Sequence, residues 1–375
     1  MAMTQHDRIM AVYRGETPDV VPYMLDLSHW FYHKNRLPWD LSVSYDAPEY
    51  DLIAYHRSFG AGFYMPNLGS FYDAAYGADV SSEVYKEWHG DTEEIVWRLT
   101  TTLGSIERRR RWEENSYSWA ITRWGVRSEQ DLRVLGYALG SLTFKAKWDR
   151  YLAWKEAVCD AGVVYLSAGY SAMGQLLHYW LGVTGTVYGA ADLPQTLHEV
   201  VDQINATNLR LVDLLATSPA DIVIMGDNFS SNIQPPRFFA QWSRPYYTQA
   251  VRRLHAAGKC VAVHIDGKLR GAIAMIRDTG ADCGDAITPA PMGDLTAEQC
   301  RQEAGPSFIL SGGVPPNLWL PEVDVDDFKK AVLAWLALKR YGPCLIANAG
   351  DQVPPHAAEE RIAIMRDLVE EHGRY

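Results

Sequence analysis

Cysteine is scarce in this sequence: five residues in 375, at positions 159, 260, 283, 300 and 344, with no CxxC pair. An odd number without paired spacing argues against a disulfide framework and against a structural zinc site. Cys260, Cys283 and Cys344 lie in or beside apolar runs and read as inert buried thiols. No stretch approaches the ~20 consecutive apolar residues of a membrane-crossing helix, and the opening MAMTQHDRIMAVYRG lacks the apolar centre of a secretion signal. A cytoplasmic protein is expected. Positive charge is also short, with a formal net charge of −11 and a pI of about 5.5. Such a surface repels phosphate backbones and anionic lipid, so neither nucleic acid nor membrane is an expected partner. The one dense basic run, Arg108 to Arg111, is flanked by Glu107, Glu113 and Glu114 and is expected to be a solvated, salt-bridged strand.

The common nucleotide and hydrolase motifs are missing as well. No GxGxxG follows a strand, no GxxxxGK[ST] occurs, and there is no GxSxG. His29 and His33 stand at HxxxH spacing without the glutamate of a zinc protease, and read as packing or pocket-wall residues. There is no internal repeat and no low-complexity linker.

What is present is 47% hydrophobic residue, 22% charged residue and a regular alternation of β-branched runs with amphipathic stretches. The runs are 20–25, 62–65, 163–167, 221–225, 260–264, 283–286, 308–311 and 344–347. Between them, Phe328, Val332, Trp335 and Leu336 recur at helical spacing, as do Ile362, Met365, Leu368 and Val369. Asp324, Asp326 and Asp327 stand where acidic groups favour a helix N-terminus, and Gly258 and Gly280 where helices end. Eight strands in alternation with helices are the number that closes a (β/α)8 TIM barrel without edges, here as one α/β domain over 1–375. Residues 85–135 break the rhythm with Trp88, Trp97, Trp112, Trp119 and Trp124, and are expected to form an inserted Trp-rich β-hairpin or small sheet. Its aromatics would either lid a pocket or pack the insertion on the barrel.

A TIM barrel carries its site at the C-terminal ends of its strands, so polar residues just after each run are the candidates. They are Asp26, Tyr170, Asp227 and Asn228, His264 and Asp266, Asp285 and Thr288, and Asn348, Asp351 and Gln352. Asp227, His264, Asp266 and Asp351 are the candidates for catalysis; Asp26, Tyr170, Asn228, Asp285 and Gln352 for substrate binding. Asp294, just before Leu295, reads as a helix N-cap instead.

Several stretches together resemble the uroporphyrinogen decarboxylase superfamily. They are RIMAVYRGETPDVVP, TTLGS, RWGVRSEQDLRVL, IQPPRFFAQWSRPYYTQAVRRLHAAGK, VHIDG and DQVPPHAAEERIAIM, in that order along nearly the whole chain. The resemblance is nearer to the corrinoid-linked methyltransferase branch in the insertion and the C-terminal pattern, and YMLDLSHWFYHKNR lacks the arginine-rich loop that grips porphyrinogen carboxylates in true decarboxylases. It implies transfer of a methyl group from a small methylated substrate to a corrinoid carried by a partner protein. A cofactor-independent decarboxylase or lyase of a small acid, or a non-catalytic ligand-binding barrel, are the alternatives. Thiol-methylating members of the branch hold zinc on an HxC pair and a later Cys before a VPP turn. The matching positions are His264, Asp266 and Asp351, with aspartate in both cysteine places. Such a set either holds a divalent metal, zinc or another, through N and O ligands, or works without metal as an acid–base cluster. A homodimer would be in keeping with the superfamily.

Overall fold

Six β-branched runs pair in chain order as one parallel sheet: Leu166–Ser167, Ile222–Met225, Cys260–His264, Cys283–Ile287, Ile309–Val314 and Leu345–Ala349. This is seen in a computed structural model that describes residues 2–66 and 71–375. The two remaining places are taken by segments 20–25 and 62–65 through single parallel bridges, Tyr23 with Ala347, Met24 with Gly62 and Phe63 with Gly162. The circle therefore closes as a (β/α)8 barrel, although its first two strands are too short to form ladders. Closure at the third bridge depends on a missing side chain. A Cβ on Gly162 would lie 2.0 Å from the Phe63 carbonyl oxygen, so only glycine lets these backbones meet.

Helices cover the outside as their spacing predicts. Phe328, Val332, Trp335 and Leu336 of Val325–Leu336 are buried, as are Ile362, Met365 and Val369 of Glu360–His372. Asp324 caps the first of these by accepting the Asp326 amide. Asp294 is not a cap. Thr296 and Gln299 form the capping box of Ala297–Ala304, while Asp294 accepts the amides of Leu269 and Arg270 at 2.7 and 3.2 Å and so ties two βα loops together.

Strand alternation sorts the barrel interior into layers. Met24, Tyr64, Tyr165, Ile224, Ala262, Cys283, Ile309 and Ile346 make one apolar cluster with residues of the helix Gln5–Tyr13. That helix lies across the N-terminal end, with the Tyr13 and Tyr165 hydroxyls 2.6 Å apart. Two residues further along four of these strands the inward positions turn polar: His264, Asp285, Ser311 and Asn348.

The tryptophan-rich stretch is a four-stranded antiparallel sheet, Ser81–His89, Thr92–Thr101, Gly104–Glu113 and Ser118–Arg123, with strands in chain order. The expected boundaries shift: the sheet begins at Ser81, and Glu129–Gly140 is helix. Trp119 donates to the Trp39 carbonyl at 2.6 Å, and Trp112 stands edge-on to Tyr117 and Trp119. These rings pack the insertion onto the segment after the first strand. The basic run is not uniformly solvated, because a strand turns alternate side chains to opposite faces. Arg109 and Arg111 pair with glutamates, whereas Arg108 and Arg110 turn the other way onto aromatic rings.

Candidate active site

At the C-terminal end of the barrel a cavity of about 300 Å³ is lined by Asp26, Tyr64, Met65, Ser167, Tyr170, Ile224, Gly226, Asn228, His264, Asp351 and Gln352. Six of these, Asp26, Tyr170, Asn228, His264, Asp351 and Gln352, are sequence candidates brought together from five different strand ends.

His264 is the best-supported side chain. It faces Asp285 across the parallel ladder, and its Nδ1–H donates to Asp285 Oδ2 at 3.2 Å. Asp285 is fully buried, and Ser311 donates to its other oxygen at 3.1 Å while Asn348 donates to Ser311 at 3.3 Å. The ring's other nitrogen, Nε2, stands 3.8 Å from Asp351 Oδ1 at the cavity. Burial works against a charge on His264, but the Asp285 hydrogen bond and the Asp351 and Asp266 carboxylates outweigh it and hold its pKa up at about 9. Asp351 moves the opposite way from an ordinary carboxylate: burial, with repulsion from Asp266, raises it to about 6 against the pull of His264. At neutral pH the pair is an imidazolium beside a carboxylate.

The opposite wall is pre-set by hydrogen bonds. Asp26 accepts from the Ser28 amide and hydroxyl at 2.9 and 2.5 Å and from Gln352 Nε2 at 3.1 Å; burial still raises its carboxyl above the usual range, and these hydrogen bonds oppose that rise. Tyr170 donates to Asn228 Oδ1 at 3.3 Å. Asn228 itself has a positive φ of 46°, a conformation that asparagine tolerates better than most residues and that aims it into the cavity. Ala286, next to Asp285, is also at positive φ, 60°, where the strand register slips.

Three candidates are placed differently from expectation. Asp227 is fully buried and its carboxylate does not reach the cavity. Its oxygens accept from the Ser171 amide at 2.6 Å, the Ser171 hydroxyl and the Tyr247 hydroxyl at 2.8 Å. It is a peg for the helix start at Ser171, not a group free for chemistry. Asp285 supports His264 from behind and has no share in the lining. Asp266 does not line the cavity either and acts on His264 and Asp351 through its charge. Sequence reasoning missed Tyr64, Ser167 and Ser311, although Ser167 closes its run, Tyr64 stands one residue before the end of its own, and Ser311 follows from inward alternation. It also missed His178, in a π-helical turn, Leu176–Trp180, of the kind often found beside functional sites. Burial pulls His178 down, against the opposing charges of Asp227 and Asp266.

The uroporphyrinogen decarboxylase (URO-D) family model matches residues 179–372, more than half of the chain. The chain belongs to that family. A solved methyltransferase from Methanosarcina mazei shares the fold over 98% of this chain and 99% of its own, with a TM-score of 0.63 at 14% identity. A type I 3-dehydroquinate dehydratase from Clostridium difficile covers 55% of this chain and 92% of its own at 11% identity, but its TM-score of 0.26 carries no weight. No curated protein matches in sequence. No helix among the described residues is long and apolar enough to cross a membrane.

Within this URO-D chain, the three positions that resemble a zinc set are not drawn together as a ligand triad. Among the described residues no group of three His, Cys, Asp or Glu is arranged to hold an ion. His264 gives one nitrogen to Asp285 and points the other at Asp351 as an ion-pair partner. The oxygens at 266 and 351 are also hard donors where the soft thiolates of a zinc–thiol site would be needed.

Proposed function

We propose that this URO-D family protein is a methyltransferase that removes a methyl group from the oxygen or nitrogen of a small methylated compound, for delivery to a corrinoid on a partner protein. The observation that carries the reading is His264, fixed from behind by buried Asp285, with its Nε2 at the cavity 3.8 Å from Asp351. The family, and the fold shared with a methyltransferase, support it. A cavity of about 300 Å³ admits a small compound and not a corrin ring, which suits a corrinoid held by the partner at the mouth.

The reduced corrinoid, when presented, supplies the nucleophile for the methyl group. This chain supplies the proton. As the carbon–oxygen or carbon–nitrogen bond breaks, its electron pair stays on the leaving atom, which takes the Nε2 proton of His264. General acid catalysis of this kind contributes ~10²–10⁴-fold. Asp351 holds the imidazolium in place before transfer and Asp285 fixes the ring's orientation, as a buried carboxylate does behind other catalytic histidines. Asn228, Tyr170 and the Asp26–Gln352 pair orient the substrate. Tyr64 and Tyr170 stay protonated because burial raises both far above the alkaline range, so each remains a donor.

The test is transfer of an isotopically labelled methyl group from a panel of methyl ethers and methylamines to added cob(I)alamin. Label on the cobalamin with wild type, and its loss in His264→Gln, is the expected result. Substrate turnover with no cobamide present would sink the proposal, and carbon dioxide release from an acid would put a decarboxylase in its place.

A further inference from the structure

The inserted sheet brings two unusual cations onto Tyr179, the ring that packs against Tyr170 of the cavity wall. Arg98, Arg109, Arg111 and Arg123 on this sheet each pair with a glutamate. The side chains of Arg108 and Arg110 make no hydrogen bond and no ion pair with any described residue. Both face the π-helical turn Leu176–Trp180. The Arg108 guanidinium sits 4.5, 4.9 and 4.8 Å from the rings of Trp97, Tyr179 and Trp180, with Nε and Nη1 buried and without partners. Burial, with repulsion from Arg110, lowers its pKa to about 10. Arg110 lies 5.2 Å over the other part of this cage, Tyr179. Tyr179 stands edge-on to Tyr170 at 4.8 Å, and Tyr170 lines the cavity. The charge of Arg110 reaches the Tyr170 hydroxyl, where it opposes the rise that burial causes.

Arg108 is a cation largely out of water without a counter-charge, and half-buried Arg110 sets a second like charge beside it, an arrangement that is costly in any protein. It is more notable in one with a net charge of −11 and acidic partners for the adjacent arginines. Unpaired buried donors call for a missing acceptor. We propose that Arg110, with Arg108 stacked behind it, binds the carboxylate of an aromatic acid at the mouth of this cavity. The ligand's ring lies along Tyr170 and Tyr179, and its far end points toward His264. A planar guanidinium fork matches a carboxylate through paired N–H donors, and the aromatic wall accepts a flat ring more readily than an aliphatic chain. For the proposed methyl transfer this names the substrate class, a methylated aryl acid, and it rests on that reading only for the chemistry at the far end.

The experiment is calorimetric titration of the full chain with benzoate and with its neutral isostere benzamide. Wild type is expected to bind benzoate in the millimolar range or tighter and benzamide at least ~10-fold more weakly, as for a lost charge-assisted hydrogen bond. Arg110→Gln should remove the preference, Arg110→Lys should keep part of it, and Arg109→Gln, on the other face of the strand, should leave it intact. Equal binding of the two probes by wild type, no benzoate binding, or an unchanged preference in Arg110→Gln would overturn the assignment. The readout needs no turnover. Failure of methyl transfer with benzoate binding intact therefore counts against the proposed function alone, and loss of the preference in an active enzyme counts against this site alone.

Discussion

Asp285 and His264 are paired twice, once as neighbours in the strand ladder and once through the 3.2 Å hydrogen bond from Nδ1 to the buried carboxylate. The backbone register thus sets the ring's position and the carboxylate sets its orientation and proton. Ser311 and Asn348, from the next two strands, hold the carboxylate in turn.

Asp285→Asn keeps the shape and removes the charge. An amide would present either a donor or a weaker acceptor to Nδ1, and the stabilising charge would be gone. The expected result is a fall in kcat of ~10²–10⁴-fold with KM much less affected. An unchanged kcat in steady-state assays would show that the dyad is not catalytic.

The pH profile should be bell-shaped. His264 is raised to about 9, so the acid is present at neutral pH and is lost as pH climbs through that value. Asp351 is raised to about 6, so the carboxylate facing the imidazolium is lost as pH falls through that value. Rates across this range should show both limbs, and Asp351→Asn should remove the acid limb while lowering the alkaline one. An acid limb that survives in Asp351→Asn belongs to another group.

Metal content separates the acid–base reading from a metal-assisted one. Elemental analysis of freshly purified wild type, Asp266→Ala and Asp351→Ala should show no stoichiometric divalent ion in any of the three. Near-stoichiometric metal in wild type that either substitution removes would replace His264 as the proton source with a Lewis acid.

Gly174→Ala tests the peg under the helix start. A Cβ there would lie 2.3 Å from Asp227 Oδ1 and 2.8 Å from the Tyr170 ring. Overpacking of this order costs about 1–3 kcal/mol, to be read from the denaturant midpoint. Because Tyr170 must shift as well, substrate KM should rise. A variant of wild-type stability would mean that the Asp227 cluster is soft.

The barrel was legible because β-branched runs and helical stretches alternate at regular spacing, and because strand ends in this fold carry the polar groups. His264, Asp351, Asn228 and Asp26 could be found that way. Orientation could not be. Asp227 and Asn228 are adjacent, and only the chain's turn after Met225 sends one to Ser171 and Tyr247 and the other to the cavity. The same ambiguity hid Arg108 and Arg110 among four consecutive arginines, since the face of a strand is set by partners distant in sequence. His178 was hidden for another reason: a π-helical turn shifts side-chain phase in a way that helical periodicity does not anticipate.

The tyrosine-filled floor has a kinetic consequence. With Tyr64, Tyr165 and the Gln5–Tyr13 helix stopping the barrel below the cavity, the described residues leave a small compound no rear exit. A partner that presents its corrinoid at the mouth would stand in the same doorway. Traffic would then be compulsory: the methylated compound enters first, the partner docks second, and the demethylated product waits until the partner leaves. Partner in excess should therefore inhibit turnover by shutting substrate out, a signature that a barrel open at both ends would not give.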